Sequence, residues 1–417
     1  MRILRQVGAQ RHPARVLVLA GVLAATACTT APKKAALGMP APSPTAARPV
    51  VTPSVAIAAR HRIALLVPIS GANAAVGQSI ANAATMALLD TGAKDLDLQV
   101  YDTAGGADAA ASRALADGAK LFLGPLLAPD VRAVQGAAAA AGVPVLSFSN
   151  DAGVAGNGTY VLGYQPGQSI ARVVAYARGR GIDRFAALVP AGVYGQRAAT
   201  AFLRAVEAAG GRTVSVETYT RTSAGLIAAA RKLTNYDARA AAAKKTAALR
   251  PDGTVATVTH AIAPVGFQAL LIADAGQVAA AIAPALAQLG ATNVLVMGTE
   301  LWGSEPAIAQ SAGLRGAVFA AVPDERFRQL GVRYRAKFGG APSRLASLGY
   351  DAVLLAASFT PTWAPGAPFP RAGLTARSGF TGIDGFFRLG GSGVAERGLV
   401  VEQVGPRGFT TVAAPRE

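Results

Sequence analysis

The chain has 417 residues, and its 40 Lys and Arg outnumber its 23 Asp and Glu to leave a formal net charge of +17. Apolar residues make up 52% and charged residues 15% of the chain, which excludes a disordered polyelectrolyte and allows two cored lobes of ordinary size. The single cysteine excludes an intramolecular disulfide, and no run of consecutive basic residues builds a nucleic-acid site. The basic excess then fits either a solvated arginine-rich surface or an anionic partner such as lipid headgroups, wall polymer or an acidic protein patch.

The chain starts with Arg2, Arg5, Arg11 and Arg15, followed by the apolar run Val16 to Ala27. That run is too short to span a bilayer and has the charged start, apolar middle and small-residue end of a secretory leader. Residues 1–27 are therefore predicted to be a signal peptide. Ala25-Thr26-Ala27-Cys28 resembles a bacterial lipobox, which implies lipidation of Cys28. Thr29 follows, where aspartate would favour inner-membrane retention, so the expectation is a periplasmic body anchored to the outer membrane. Residues 28–60 are rich in Ala, Pro, Ser and Thr with no helical or strand period, as expected of a tether. Its reach is roughly 100 Å as extended polyproline and about 30 Å as a coil.

The body opens on the stretch around which the rest is arranged. Ile63 to Val67 is an unbroken apolar run, suited to a strand buried on both faces. Pro68 ends it, Ser70-Gly71 opens a loop, and Ile80, Ala83, Ala84, Ala87 and Leu88 form a helical stripe. This is the first half of a βαβ unit, and ligands in such sheets sit beyond the carboxyl ends of the strands. The rhythm repeats through a strand at Leu98–Asp102, a helix stopping at Gly118, and a strand at Leu121–Leu123 that ends at Gly124-Pro125. Next come a helix from Ala128 and a strand from Val143 to Phe148, with Ser147, Ser149, Asn150 and Asp151 at its carboxyl end.

After Val161-Leu162 the pattern restarts. A helix carries Ile170, Val173, Val174 and Ala177, and a strand from Phe185 to Val189 leads to a loop holding Tyr194. A helix with Phe202 and Val206 and a strand from Thr213 to Thr218 follow. Ala224 to about Leu249 reads as helix, because Ala, Lys and Arg are strong helix formers. Strands follow at Ala269–Ala273, ending in Asp274, and at Asn293–Met297, with a helix from Gln277 to Leu289 between them. Two further helices are expected at Phe327–Phe338 and Ser347–Phe359. In the tail, Gly385–Leu389 and Leu399–Val404 read as a hairpin of short strands. Two α/β lobes joined by several crossings leave a cleft between them, where small ligands bind.

The ordered series LLVPISGANAAVGQSIANAA, VYDTAGG, LFLGPLLAPDV, GVPVLSFSND, ALVPAGVYGQR, SLGYDAVLLAA and GFTGIDGFFRL resembles the type 1 periplasmic-binding-protein fold. The resemblance covers about Arg62 to Val404. It implies an α/β chain of two doubly wound parallel-sheet lobes with an interlobe cleft. On this basis 61–163 and 323–376 are assigned to lobe 1, and 164–322 and 377–417 to lobe 2. Within the group, the chain is similar to the lipoprotein activators of penicillin-binding proteins and, more distantly, to branched-chain amino-acid receptors. The activators carry a helical-repeat domain ahead of this fold, which residues 29–60 do not supply.

Amino-acid receptors of this fold present hydroxyls after the Gly-Pro turn to hold the ligand's carboxylate. Here the segment is Gly124-Pro125-Leu126-Leu127-Ala128-Pro129-Asp130, with no Ser or Thr. That departure fits an activator that contacts a class A penicillin-binding protein and promotes peptidoglycan synthesis. The alternative is the solute receptor of an ABC importer for branched-chain amino acids or related molecules. Candidate cleft residues are Ser70, Gly71, Pro125, Leu126, Leu127, Ser149, Asn150, Tyr194, Asp274 and Glu300. Tyr194 is either an aromatic wall or a tyrosine packed on its own lobe. Asp274 either takes a ligand ammonium or caps the helix after Ala275-Gly276. Ser70, Ser149 and Asn150 serve equally as turn and capping residues. Glu300 and Trp302 either border the cleft or pack a loop.

No enzyme chemistry is legible. His12 lies in the leader, His61 at the tether end and His260 alone in a loop. There is no paired-histidine or cysteine metal motif, no Gly-x-Ser-x-Gly elbow and no Walker loop. The expectation is a non-catalytic protein without metal or cofactor.

Overall fold

The computed structural model describes residues 60–243, 245–259 and 261–415. The predicted leader, Cys28, nearly all of the tether and His260 lie outside the described residues.

The first lobe is built from β1 (His61–Val67), α1 (Ala74–Thr91), β2 (Leu96–Asp102), α2 (Ala107–Ala116), β3 (Leu121–Leu123), α3 (Ala128–Ala140), β4 (Val145–Ser147) and β5 (Thr159–Val161). All five strands run parallel in the order β2-β1-β3-β4-β5. Ile63, Ala64, Leu65, Leu66 and Val67 are fully buried, as expected for a strand covered on both faces. Each large side chain buried in this way contributes about 1.5–3 kcal/mol relative to exposure.

The second lobe takes up α4 (Pro166–Arg178), β6 (Arg184–Pro190), α5 (Val193–Ala208), β7 (Arg212–Tyr219), α6 (Ser223–Leu233) and α7 (Tyr236–Ala242). It continues with β8 (Lys245–Leu249), β9 (Val255–Thr259), β10 (Ala269–Ile272), α8 (Gly276–Gln288), β11 (Leu295–Gly298) and β12 (Val318–Ala321). The chain then returns to the first lobe with α9 (Glu325–Phe338) and α10 (Ala346–Ser358), followed by β13 (Phe380–Gly382), β14 (Gly385–Leu389) and β15 (Ala395–Arg397). Finally β16 (Val400–Gly405) and β17 (Gly408–Ala413) complete the second sheet, ordered β17-β16-β12-β11-β10-β6-β7. Its β7-to-β12 portion is parallel, and β16 and β17 add antiparallel at one edge.

Both lobes use the same device to turn from strand to helix. A Cβ on Gly77 would lie 1.9 Å from the Pro68 carbonyl oxygen, and one on Gly195 would lie 1.6 Å from that of Pro190. Only glycine lets each helix begin directly over the carbonyl that closes the preceding strand. The topological switch falls between β1 and β3 in the first sheet and between β6 and β10 in the second. The loops after these strands therefore flank the crevices where such sheets hold ligands.

Three expectations are corrected. The Ala224–Leu249 segment is not one helix: α6 ends at Leu233, Asn235 adopts a left-handed φ of 48°, and β8 pairs antiparallel with β9. Alanine propensity is a weak prior, overridden here by a turn at Asn235 and by strand pairing across Pro251-Asp252-Gly253. The expected tail hairpin also does not form. β14 pairs with β13 and β15, whereas β16 pairs with β12 and β17. Finally, Phe387, Leu389 and Ala395 join the core containing Ile63, Leu65 and Leu348. The β13–β15 sheet thus packs on the first lobe, although 377–417 had been assigned to lobe 2. Only β16 and β17, with Val401 and Val404 buried, belong to the second.

Candidate functional site

The chain crosses between the lobes at 162–165, 322–324 and 398–399. Beside these crossings lies a cavity of ≈ 860 Å3. Tyr164, Ser169, Glu300, Asp324, Arg344 and Arg397 are among its lining residues. Ser343 to Leu345 bring the first lobe to the wall, and Glu300 to Ser304 with the β16–β17 hairpin bring the second. Of the candidate residues only Glu300 lines this cavity.

Glu300 follows β11, in a short 3-10 turn. Desolvation pushes its carboxyl up to about 7, only partly offset by a hydrogen bond with Ser169. Ser169 Oγ lies 3.0 Å from the Pro166 carbonyl oxygen and also contacts Glu300 Oε2. A hydroxyl has one proton to donate. When it goes to Pro166, a protonated Glu300 completes the chain by donating to Ser169. No described cation forms an ion pair with Glu300.

Asp274, at the end of β10, is committed elsewhere. It is buried, with Arg221 Nε and Nη2 donating to its two oxygens at 2.9 and 3.0 Å, and Tyr219 Oη donating at 2.7 Å. Arg221 thus stands where a ligand ammonium would pair with Asp274. Nor does Asp274 cap the following helix. Glu305 accepts from the Gly276 and Gln277 amides at 3.0 and 2.9 Å, while the one backbone amide that donates to Asp274 is that of Ala275. Burial pushes the Asp274 carboxyl up, but the hydrogen bonds from Arg221 and Tyr219 hold it below its ordinary value. Tyr194 packs on its own lobe, its hydroxyl 3.3 Å from Thr299 Oγ1. Desolvation, with the neighbouring Glu300 charge, raises its phenol. The structure therefore brings Tyr194, Asp274 and Glu300 into one cluster.

On the first lobe, Ser70 donates to Asp102 Oδ2 at 2.5 Å, and Gly71 turns with φ of 71°. The Pro125 carbonyl accepts from Phe148 N at 3.0 Å and Ser147 Oγ at 3.2 Å, which ties the β3 and β4 loops together. Leu126 packs on the core, while Leu127 precedes α3 and is exposed. Ser149 is buried and accepts from the Asp151 amide at 3.1 Å, and Asn150 is exposed. Ser70 and Ser149 act here as turn-forming groups.

Two arrangements were not legible beforehand. Asp151, on the first lobe, lies 2.8 Å from Arg132 of its own lobe and 2.8 Å from Arg197 of α5 on the second. This ion pair bridges the lobes. The second is a buried cluster at the crossings. Tyr164 Oη and Ser347 Oγ donate to Asp384 Oδ2 at 2.6 and 3.0 Å, and Arg344 Nη1 is 2.8 Å from Asp384 Oδ1. Arg397 Nη1 lies 3.8 Å from Asp384 Oδ2. Burial pushes Asp384 up, but the two guanidiniums hold it low. Burial, reinforced by the Asp384 charge, raises Asp351 to about 7. These residues lie at 164, 344, 384 and 397, and no local pattern joins positions so far apart.

Among the described residues no group of His, Cys, Asp or Glu is placed to hold a metal, and no helix is long and apolar enough to cross a membrane.

The family model described as periplasmic binding protein matches residues 61–397. A comparison with curated proteins gave no match. Among solved structures, a branched-chain amino acid ABC transporter periplasmic ligand-binding protein from Burkholderia xenovorans is similar at 16% identity. The match covers 85% of this chain and 96% of that one, with a TM-score of 0.67. A branched-chain amino acid transporter substrate-binding protein from Streptococcus pneumoniae, in complex with isoleucine, is 17% identical. Coverage is 85% and 99%, and the TM-score 0.58. A solute binding protein of an ABC transporter from Rhodopseudomonas palustris, in complex with 3,4-dihydroxybenzoic acid, is 16% identical, with 86% and 98% covered and a TM-score of 0.61.

Proposed function

The chain belongs to the periplasmic binding protein family, and on that premise we propose that it is a non-catalytic solute receptor whose interlobe cavity takes a small molecule bearing a cationic nitrogen. One observation carries this reading. Glu300 lines the cavity and has no cationic partner among the described residues, and desolvation keeps its carboxyl near neutrality. An ammonium group entering there supplies the missing countercharge and converts Glu300 to its carboxylate. Asp274 cannot do this while Arg221 and Tyr219 hold it. Of the cargoes seen in similar folds, isoleucine carries such a nitrogen and 3,4-dihydroxybenzoic acid does not. We therefore favour amino-acid-type solutes and delivery to an ABC importer.

The test is thermal unfolding against a panel of amino acids and related amines. A ligand present at one hundred times its Kd stabilises the native state by about 2.7 kcal/mol, a shift of several degrees. If no amine-bearing solute moves the midpoint, the receptor reading fails.

A second reading, contact with a class A penicillin-binding protein in peptidoglycan synthesis, is favoured by the loop from Gly124 to Asp130. That loop offers no hydroxyl to a ligand carboxylate. In this reading Cys28 carries a lipid anchor in the outer membrane and residues 28–60 span towards the partner. Direct binding of the chain to a purified synthase, with no response to any free solute, would support it over the receptor.

A further inference from the structure

We propose that the C-terminal half of α9, residues 331–338, is a docking face for an anionic lipid surface, independent of what the cavity binds. α9 turns Leu330, Gly331 and Tyr334 into the first lobe. Asn82 Nδ2 donates to Tyr334 Oη at 3.0 Å, and Arg333 Nη1 lies 2.7 Å from Asp90, which fixes the helix beside α1. At helical spacing this leaves Val332 and Ala336 on the outward side, one turn apart. Arg335 flanks that ridge on one side, and Arg333 and Lys337 flank it on the other. Val332 is 62% exposed and Phe338 36%. Leu89, whose neighbour Asp90 pairs with Arg333, is 61% exposed. Single exposed apolar residues are ordinary on a protein surface. Here they stand among cations that lack partners.

Charge is balanced at one end of α9 and not at the other. Near its N-terminus, Arg328 is 3.6 Å from Asp324, Glu325 opens the helix, and the charges of Asp324 and Arg328 both reach Glu402. Arg326 there donates to the Gly382 carbonyl at 2.8 Å. In the last two turns the one carboxylate that pairs with Arg333, Arg335 or Lys337 is Asp90, and Tyr350 Oη also donates to it at 2.6 Å. Arg335 and Lys337 form no ion pair among the described residues. The helix dipole favours cations in a last turn, but it gives no reason for Val332, Phe338 and Leu89 to stand exposed among them. A hydrophilic polyanion would satisfy the cations and leave those apolar side chains in water. The interface of an anionic bilayer takes both, with phosphates around the cations and the acyl boundary under the apolar ridge.

The experiment uses the full chain carrying Cys28→Ser, so that no lipid is attached, with vesicles of phosphatidylcholine alone or with about one third phosphatidylglycerol. Val332→Cys then supplies the only cysteine, for an environment-sensitive fluorophore, and Leu203→Cys on α5, also exposed, serves as the control. The phosphatidylglycerol vesicles should shift the label at 332 to the blue and leave the label at 203 unchanged, and high salt should weaken the shift. Arg335→Gln with Lys337→Gln should weaken binding about 25-fold, at about fivefold for each basic side chain near an anionic surface. Arg204→Gln with Arg212→Gln removes the same charge from exposed positions on the second lobe and should change it little. No shift at 332, equal shifts at 332 and 203, or equal effects of the two double variants would overturn the proposal. Binding to soluble polyglutamate by a chain that ignores the vesicles would also overturn it and assign the face to an acidic protein. Each of these outcomes leaves the receptor reading standing.

Discussion

Replacing Glu300 with glutamine tests the electrostatics of the cavity without needing a ligand. The Glu300 carboxyl moves from an ordinary 4.5 to about 7 in the folded chain because of desolvation. Between those values the native state retains a proton that the unfolded chain has lost. The stability contributed by neutral Glu300 is therefore complete below pH 4.5 and is lost as pH rises through 7. At 1.36 kcal/mol per tenfold, the penalty above pH 7 is about 3 kcal/mol. Glutamine keeps the hydrogen-bond chain, because its amide donates to Ser169 while Ser169 donates to the Pro166 carbonyl. Asp351 titrates in the same range but is present in both proteins, so the difference between them isolates Glu300. Urea unfolding at a series of pH values should show the variant gaining up to about 3 kcal/mol over wild type between pH 4.5 and 8. Parallel stability curves across that range would refute the argument that Glu300 is desolvated and unpaired.

Arg197→Ala removes the bridge between α5 and Asp151. Because Arg197 is 44% exposed, the stability loss should be only about 0.2–1 kcal/mol. The ligand-free chain should nevertheless open, with a larger radius of gyration by small-angle scattering that adding salt reproduces in wild type. An unchanged radius would show that the bridge does not hold the lobes together. Asp384→Ala leaves Arg344 and Arg397 buried without their shared counter-ion and should cost about 3–5 kcal/mol in denaturant unfolding. A loss below about 1 kcal/mol would mean that water reaches the cluster.

The parallel strands and their helices were readable because each is specified locally. Ile63 to Val67 is apolar without interruption, and α1 carries its stripe at helical spacing, so burial on one or both faces follows from composition. The elements misread were those where local propensity loses to pairing with a distant partner. Lys245–Leu249 has helix-forming residues but sits opposite Val255–Thr259. Gly385–Leu389 and Val400–Gly405 are adjacent in sequence yet belong to different sheets. For the site, the sequence placed Tyr194, Asp274 and Glu300 at strand ends, and these three do form one cluster. It could not rank the two acids, because their difference lies in neighbours far along the chain. Arg221 reaches Asp274 across 53 residues, whereas the side-chain hydrogen bond of Glu300 goes to Ser169, 131 residues away, and no described cation pairs with it. The sequence by itself thus determined a two-lobed α/β chain, through periodicities that act over a few residues. Which carboxyl stays unpaired, which arginines share Asp384 and which ion pair joins the lobes were decided only by the tertiary structure. Desolvation and ion pairing depend on distance in space, which the order of residues does not set.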